Sequence, residues 1–216
     1  MKRDFKVGAF DLFILFNFFF LLAMAVFVYY KGEAEFFIYA GAFIFTGLFI
    51  WRRLRSYQIP FYVLTLLQLG IFAHFSGGLA KIDGARLYDQ IFFMIRFDKY
   101  VHFYNAFAGS IALSELGRIN QFKNRLNGAR LIGAVFALGI FVELVELSAY
   151  LFLPKTGVGD IGNNVFDLVA NILGATAGTL IMAVKIELLP GPPGKTVTID
   201  KAGQEPDLLP GSHLLS

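Results

Sequence analysis

The chain has no cysteine. That excludes disulfides and thiolate metal sites, and it removes the usual clue to redox compartment. Charge is scarce too. Asp, Glu, Lys and Arg make up 16% of 216 residues, where a soluble domain carries about 25%. The net charge is only +3, and the basic residues sit in short stretches between apolar runs, which argues against nucleic acid as a partner. The sequence has neither an H-E-x-x-H metal motif nor a strong internal repeat.

What it has in quantity is hydrocarbon. Hydrophobic residues make up 56% of the chain, and 26 of them are Phe. Several apolar runs approach or reach the roughly 20 residues that cross a bilayer. The fold class expected is therefore all-α: a polytopic membrane bundle of about six transmembrane helices over residues 1–185. Residues 186–216 are expected as a mobile cytoplasmic tail, because Pro190-Gly191-Pro192-Pro193-Gly194 and the polar residues after it have no periodic apolar face. A basic lead precedes Ala23-Met24-Ala25, which looks like a cleavage site. The apolar run continues to Tyr30, too long for a signal-peptide core, so the first span should stay uncleaved.

The expected spans run roughly Ala9–Tyr30, Phe36–Trp51, Ile59–Phe75, Asp98–Leu116, Leu131–Leu153 and Asn164–Val184. The piece Tyr88–Ile95 is too short to cross and is expected as a re-entrant or interfacial helix. With the N-terminus in the cytoplasm, 13 of the 19 Lys and Arg residues lie inside and 6 outside. That places a multi-pass protein in the cell inner membrane or plasma membrane with both termini cytoplasmic. The basic residues between Gly77 and Lys99 run against this bias. Membrane lipid is the expected partner, and the sequence is compatible with an oligomer.

The polar groups of the spans follow helical spacing. Asp98, His102 and Asn105 fall at i, i+4, i+7; Glu143 and Glu146 at i, i+3; Asn163, Asp167 and Asn171 at i, i+4, i+8. All lie within a few turns of the outer end of their spans. Each alone has a structural reading: Asp98 and Lys99 as interface residues, His102 as a core histidine, a Glu as helix glue, Asp160 and Asn163 or Asn164 as a turn and helix cap. His74 could join the site or sit at the interface, and Glu115, three residues before Arg118, reads as structural. Together the groups carry more weight, because ionisable groups in hydrocarbon cost about 2.5–3.5 kcal/mol each on insertion scales and need partners. The expected catalytic set is His102, Glu143, Glu146, Asp98 and Asp167. Asn105, Asp160, Asn163, Asn164 and Asn171 are expected to bind substrate. A divalent metal is an open option, with His102, Glu146 and Asp167 as candidate ligands. Gly174-Ala175-Thr176-Ala177-Gly178 is a small-residue face for close helix packing.

Three stretches carry a resemblance: Asp98-Lys99-Tyr100-Val101-His102-Phe103, Glu143 with Glu146, and Gly159-Asp160 with Asp167, Asn171 and Gly174. In these the chain resembles the YjdF-like bacterial inner-membrane proteins. It is more distantly similar to the VanZ-like proteins, through D-K-x-x-H-F and D-x-x-x-N-x-x-G elements. The likeness runs over roughly His74 to Gly178. It implies a helical membrane protein, tied in the VanZ case to the cell envelope and glycopeptide resistance. Three readings of function follow. The first is an enzyme or binding protein for an amphiphilic, envelope-related substrate, with His102 as acid/base or metal ligand. The second is an ion- or proton-coupled transporter, and the third is a structural membrane protein.

Overall fold

The computed structural model describes residues 8–120, 127–153 and 161–188, with side chains to 185. Among these residues the chain forms six α-helices: α1 Ala9–Lys31, α2 Ala34–Leu54, α3 Phe61–Leu79, α4 Phe97–Ile119, α5 Gly128–Phe152 and α6 Ile161–Leu188. All but α4 are long and apolar enough to cross a membrane. Helix α4 falls short because it carries Asp98, Lys99, His102, Glu115 and Arg118. Large apolar side chains point outward, among them Phe45 and Phe61 at 76% exposure and Leu151 at 66%. On a soluble monomer such a surface would aggregate, whereas in lipid it is the matching solvent. The protein is a multi-pass membrane bundle. The tail is expected from residue 186, but α6 continues through Leu188; the rest of it, from residue 189, lies outside the described residues.

Helices α1 and α2 form an antiparallel pair. Gly32 turns the chain in the left-handed conformation (φ 71°), and its N–H closes back on Val28 and Tyr29. Glycine adopts that backbone at no steric cost and so ends the helix there. Phe36, Tyr39 and Ala40 of α2 bury against Leu21, Ala25 and Val28 of α1 and Phe75 of α3. Trp51 Nε1 donates to Asp11 Oδ1 (2.6 Å) across the pair, and Asn17 Nδ2 ties α1 to α3 through Gln68 Oε1 (2.7 Å).

The segment between α3 and α4 is not the expected interfacial helix. It is two small β-hairpins, β1 Lys81–Ile82 with β2 Ala85–Arg86 and β3 Ile91–Phe92 with β4 Ile95–Arg96, joined by a 3-10 turn over Leu87–Asp89. Asp83-Gly84 turns the first (φ 52° and 82°), and Phe93-Met94 turns the second (φ 50° and 65°). Two-residue hairpin turns need positive φ, which Asp-Gly takes readily. Phe93 and Met94 carry no such signal, which is why an apolar run read as helix folds as a hairpin. Arg86 anchors this layer to the α1–α2 turn through Glu33 (3.0 Å) and Glu35 (3.5 Å).

Helices α4 and α6 share the most extensive interface and run parallel. Lys99 meets Asp167, Phe103 meets Gly174, Phe107 meets Gly178, and Glu115 meets Lys185. The offset stays near 70 residues along the seam. A Cβ on Gly174 would stand 2.0 Å from the Phe103 carbonyl oxygen, and one on Gly178 would stand 2.6 Å from that of Phe107. Only glycine admits this backbone approach. Ser110 Oγ donates to the Ala175 carbonyl (3.1 Å) within the same seam. Antiparallel α5 closes the group, with Val135 packed on Ala106 and Ala175.

Candidate functional site

The polar stripes meet where α4 and α6 begin and α5 nears its end. His102 stands between two carboxylates from different helices: Nδ1 is 3.2 Å from Glu143 Oε1, and Nε2 is 3.6 Å from Asp167 Oδ1. Asn171 Nδ2 lies 3.5 Å from Nδ1. The Nδ1 edge thus meets both an amide and a carboxylate, and the Nε2 edge meets a carboxylate. Asp167 is itself held firmly, since Lys99 Nζ donates to its Oδ1 (2.7 Å) and Asn163 Nδ2 to its Oδ2 (2.8 Å).

Lys99 is the hub. Besides Asp167, its ammonium contacts Asp98 Oδ2 (3.1 Å), Asn163 Oδ1 (2.7 Å) and the Asn163 carbonyl (3.1 Å). Arg96 NH1 also donates to Asn163 Oδ1 (2.9 Å), while Arg96 NH2 pairs with Asp89 (2.5 Å). From its sequence Lys99 is expected at the interface, and Arg96 carries no site expectation. The missed signal was in the first turn of α4, where a cation adjoins Asp98 one turn ahead of His102, so that it faces whatever pairs with them.

Glu143 is different. Its side chain is buried, yet neither carboxylate oxygen has a hydrogen-bond donor among the described residues. Glu146, one turn along α5, is half-buried and has no hydrogen-bond or ion-pair partner among the described residues. Glu143, His102 and Asp167 each place a donor atom within 4.8 Å of the others, a spacing open to a metal ion; Glu146 is not in that group.

The other expected residues divide. Asp98 is buried and belongs to the network through Lys99. Asn163 and Asn171 belong as well. Asn164 is buried with Oδ1 lacking a partner among the described residues. Asn105 turns to α3, where its Oδ1 abuts Gly70, and makes no hydrogen bond to the cluster among the described residues. Asp160 lies outside the described residues. His74, on α3, packs under the hairpin layer instead: its Nδ1 is 2.7 Å from Tyr88 Oη, and the α2 rings of Phe36, Tyr39 and Phe43 surround it. Burial, with the nearby Glu146 carboxylate adding to it, pushes the Tyr88 phenol well above its usual range, so it remains neutral beside the imidazole.

Three helices thus present one imidazole, four carboxylates and one ammonium within a single polar junction, roofed by two hairpins. A family model described as a predicted membrane protein, DUF2238, matches residues 12–187, which takes in all six helices. The chain belongs to the DUF2238 family. The YjdF-like resemblance is this family, and nothing in the comparisons supports the VanZ-like one or a tie to the cell envelope. No curated protein matches the chain, and no solved structure does. The DUF2238 match covers the junction residues from Asp98 to Asn171 without assigning them a role.

Proposed function

We propose that this DUF2238 protein is a membrane-embedded enzyme acting on an amphiphilic, envelope-related substrate. One observation carries the reading: buried Glu143, neither of whose carboxylate oxygens accepts a hydrogen bond among the described residues, lies beside an imidazole whose far side faces Asp167. A network serving only to hold helices together would saturate its buried polar groups, because an unpaired one costs about 1–3 kcal/mol. In this reading Lys99 and Asn163 fix Asp167, and Asp167 fixes the His102 ring. His102, Glu143 and Asp167 make up the centre that holds the reacting group. Glu146, one turn from Glu143 and half-buried, exchanges the proton. Asn164 and Asn171 supply amide groups to the polar part of the substrate, while its apolar part stays in the lipid around α4 and α5. Substrate enters at the hairpin end, which the Lys and Arg bias assigns to the outside.

The test compares lipid and envelope extracts from cells lacking the protein, cells expressing it, and cells expressing Glu146→Gln. A species that the intact protein depletes or forms, and that Glu146→Gln leaves as in the deletion, is the expected result. The variant should match the unaltered protein in yield and thermal stability. Identical extracts from all three, or full activity in the variant, would overturn the reading. Loss of folded protein in Glu146→Gln would favour a purely structural junction.

A further inference from the structure

The junction is short of positive charge. Asp98, Glu143, Glu146 and Asp167 bring four carboxylates, against the Lys99 ammonium. Arg96 also reaches the junction, with Nε 3.7 Å from Asp98 Oδ2, but it pairs with Asp89 at 2.5 Å as well, so counting both adds one cation and one carboxylate and leaves the excess unchanged. Buried carboxylates in such excess must take up protons or a cation. Glu143 has two buried oxygens with no donor, and they face His102 across 3.2 Å. Two ligand atoms on one ion with metal–ligand bonds near 2.0–2.2 Å stand roughly 3.0–3.4 Å apart. The His102–Glu143 separation already has that value. Asp167 Oδ1 faces the other ring nitrogen, 3.6 Å from Nε2, with its ligand atom within 4.8 Å of the other two, so ring and carboxylate must turn toward one another for it to become a third ligand.

We propose that His102, Glu143 and Asp167 hold a divalent transition-metal ion. One nitrogen with two carboxylate oxygens suits zinc, manganese or iron, whereas magnesium and calcium take all-oxygen sets. Asn163, bonded to Asp167, and Asn171, beside the ring, form the outer shell that orients the ligands. Glu146, outside the ligand set, is left as the proton-exchanging group. The proposal rests on the junction being the reactive centre, but it is read out without activity.

Full-length protein purified in detergent is incubated with ZnCl2 or with MnCl2, desalted, and measured for metal content and thermal unfolding. About one ion per chain should be retained, with a higher unfolding temperature. Glu143→Gln, which keeps the side-chain shape, should retain at least tenfold less while unfolding like the metal-free parent. Glu33→Gln, at the α1–α2 turn outside the junction, should retain metal normally. Retention by Glu143→Gln equal to the parent, no retention by the parent of either ion, or displacement of zinc by a hundredfold excess of magnesium would each overturn the metal. Metal retention with unchanged lipid extracts would overturn the enzyme instead.

A second, independent observation concerns the β3–β4 hairpin. Its five residues Ile91 to Ile95 are all apolar, with Phe93 at 92% and Met94 at 95% exposure. Both are in the left-handed conformation, where bulky residues are uncommon. The neighbouring hairpin, of the same size, has the polar tip Asp83-Gly84. Tyr100 Oη donates to the Phe92 carbonyl (2.9 Å) and fixes the apolar hairpin beside α4. Exposed apolar tips beside apolar helix surfaces point to acyl chains. We infer that Phe93 and Met94 insert into the hydrocarbon of the adjacent leaflet. Because the chain has no cysteine, Met94→Cys and Asp83→Cys can each carry a single spin label in phospholipid vesicles. The Met94 label should collide with oxygen in preference to a water-soluble nickel chelate, and the Asp83 label the reverse. Equal chelate access at both sites would overturn insertion. So would dipolar broadening between Met94 labels of two chains.

Discussion

Replacing Gly174 by alanine tests the α4–α6 seam directly. The new Cβ would lie 2.0 Å from the Phe103 carbonyl oxygen and 2.8 Å from its carbon, both backbone atoms that cannot swing aside. Ordinary contact begins near 3.4 Å, so the helices must part locally by about 1.0–1.4 Å. Overpacking of this kind costs about 1–3 kcal/mol, partly offset by the roughly 1 kcal/mol that alanine gains over glycine in a helix. Gly178→Ala meets its nearest oxygen at 2.6 Å and should cost less. Gly133 has nothing within 4 Å of its would-be Cβ, so Gly133→Ala should be neutral or slightly stabilising. Thermal unfolding in detergent, followed by the fluorescence of the lone Trp51, should place Gly174→Ala lowest by roughly 2–10 °C. Opening the seam also stretches the 2.7 Å Lys99–Asp167 contact two turns away, so metal retention should fall in the same variant. A Gly174→Ala protein as stable as Gly133→Ala would refute the close approach.

Further outcomes follow from the charged groups. Glu115 is fully buried between Lys185 (2.6 Å) and Arg118 (2.8 Å). Glu115→Gln frees two partly exposed cations and should cost about 1–3 kcal/mol. The double variant Arg118→Met with Lys185→Met strands a buried carboxylate and should cost about 3–5 kcal/mol. The reverse order in unfolding measurements would refute this reading of the network. Lys99→Met should destabilise the fold, and adding Asp167→Asn should recover part of the loss, with a coupling of about 1 kcal/mol or more in a double-mutant cycle. Strict additivity would remove Lys99 from the hub. A single cysteine at Asp83 should react with an impermeant thiol reagent in intact cells, and one at Ser56 should not. The opposite pattern would invert the orientation drawn from the basic residues.

Much of this was legible in the sequence because lipid makes the pattern strict. Apolar runs of span length gave five helices of matching composition, and α4 followed from its polar stripe despite failing that test. His102, Glu143 and Asp167 converge as their helical spacing suggested, and Gly174 with Gly178 marks the seam. What stayed hidden depends on backbone detail or on partners across helices. Phe93-Met94 carries no turn chemistry, so the second hairpin read as helix. Asn105 keeps the i+7 spacing from Asp98 yet abuts Gly70 of α3, because a stripe wide enough to touch two neighbours divides between them. Lys99 reads as an interface residue until Asp167 and Asn163, more than 60 positions later, are placed against it.

The parallel seam also limits how the molecule can move. Its two ends are pinned by ion pairs of opposite sense: the cation comes from α4 at Lys99–Asp167 and from α6 at Lys185–Glu115. The glycine approach lies between the two pins. A slide of one helix past the other by a single turn, about 5.4 Å, would break both pins at once and drive side chains into the Phe103 carbonyl. Helices α4 and α6 therefore act as one rod. Glu143 and Glu146 ride on α5, outside that rod. Any change in the spacing between His102 and Glu143 is thus a displacement of α5 against that rod.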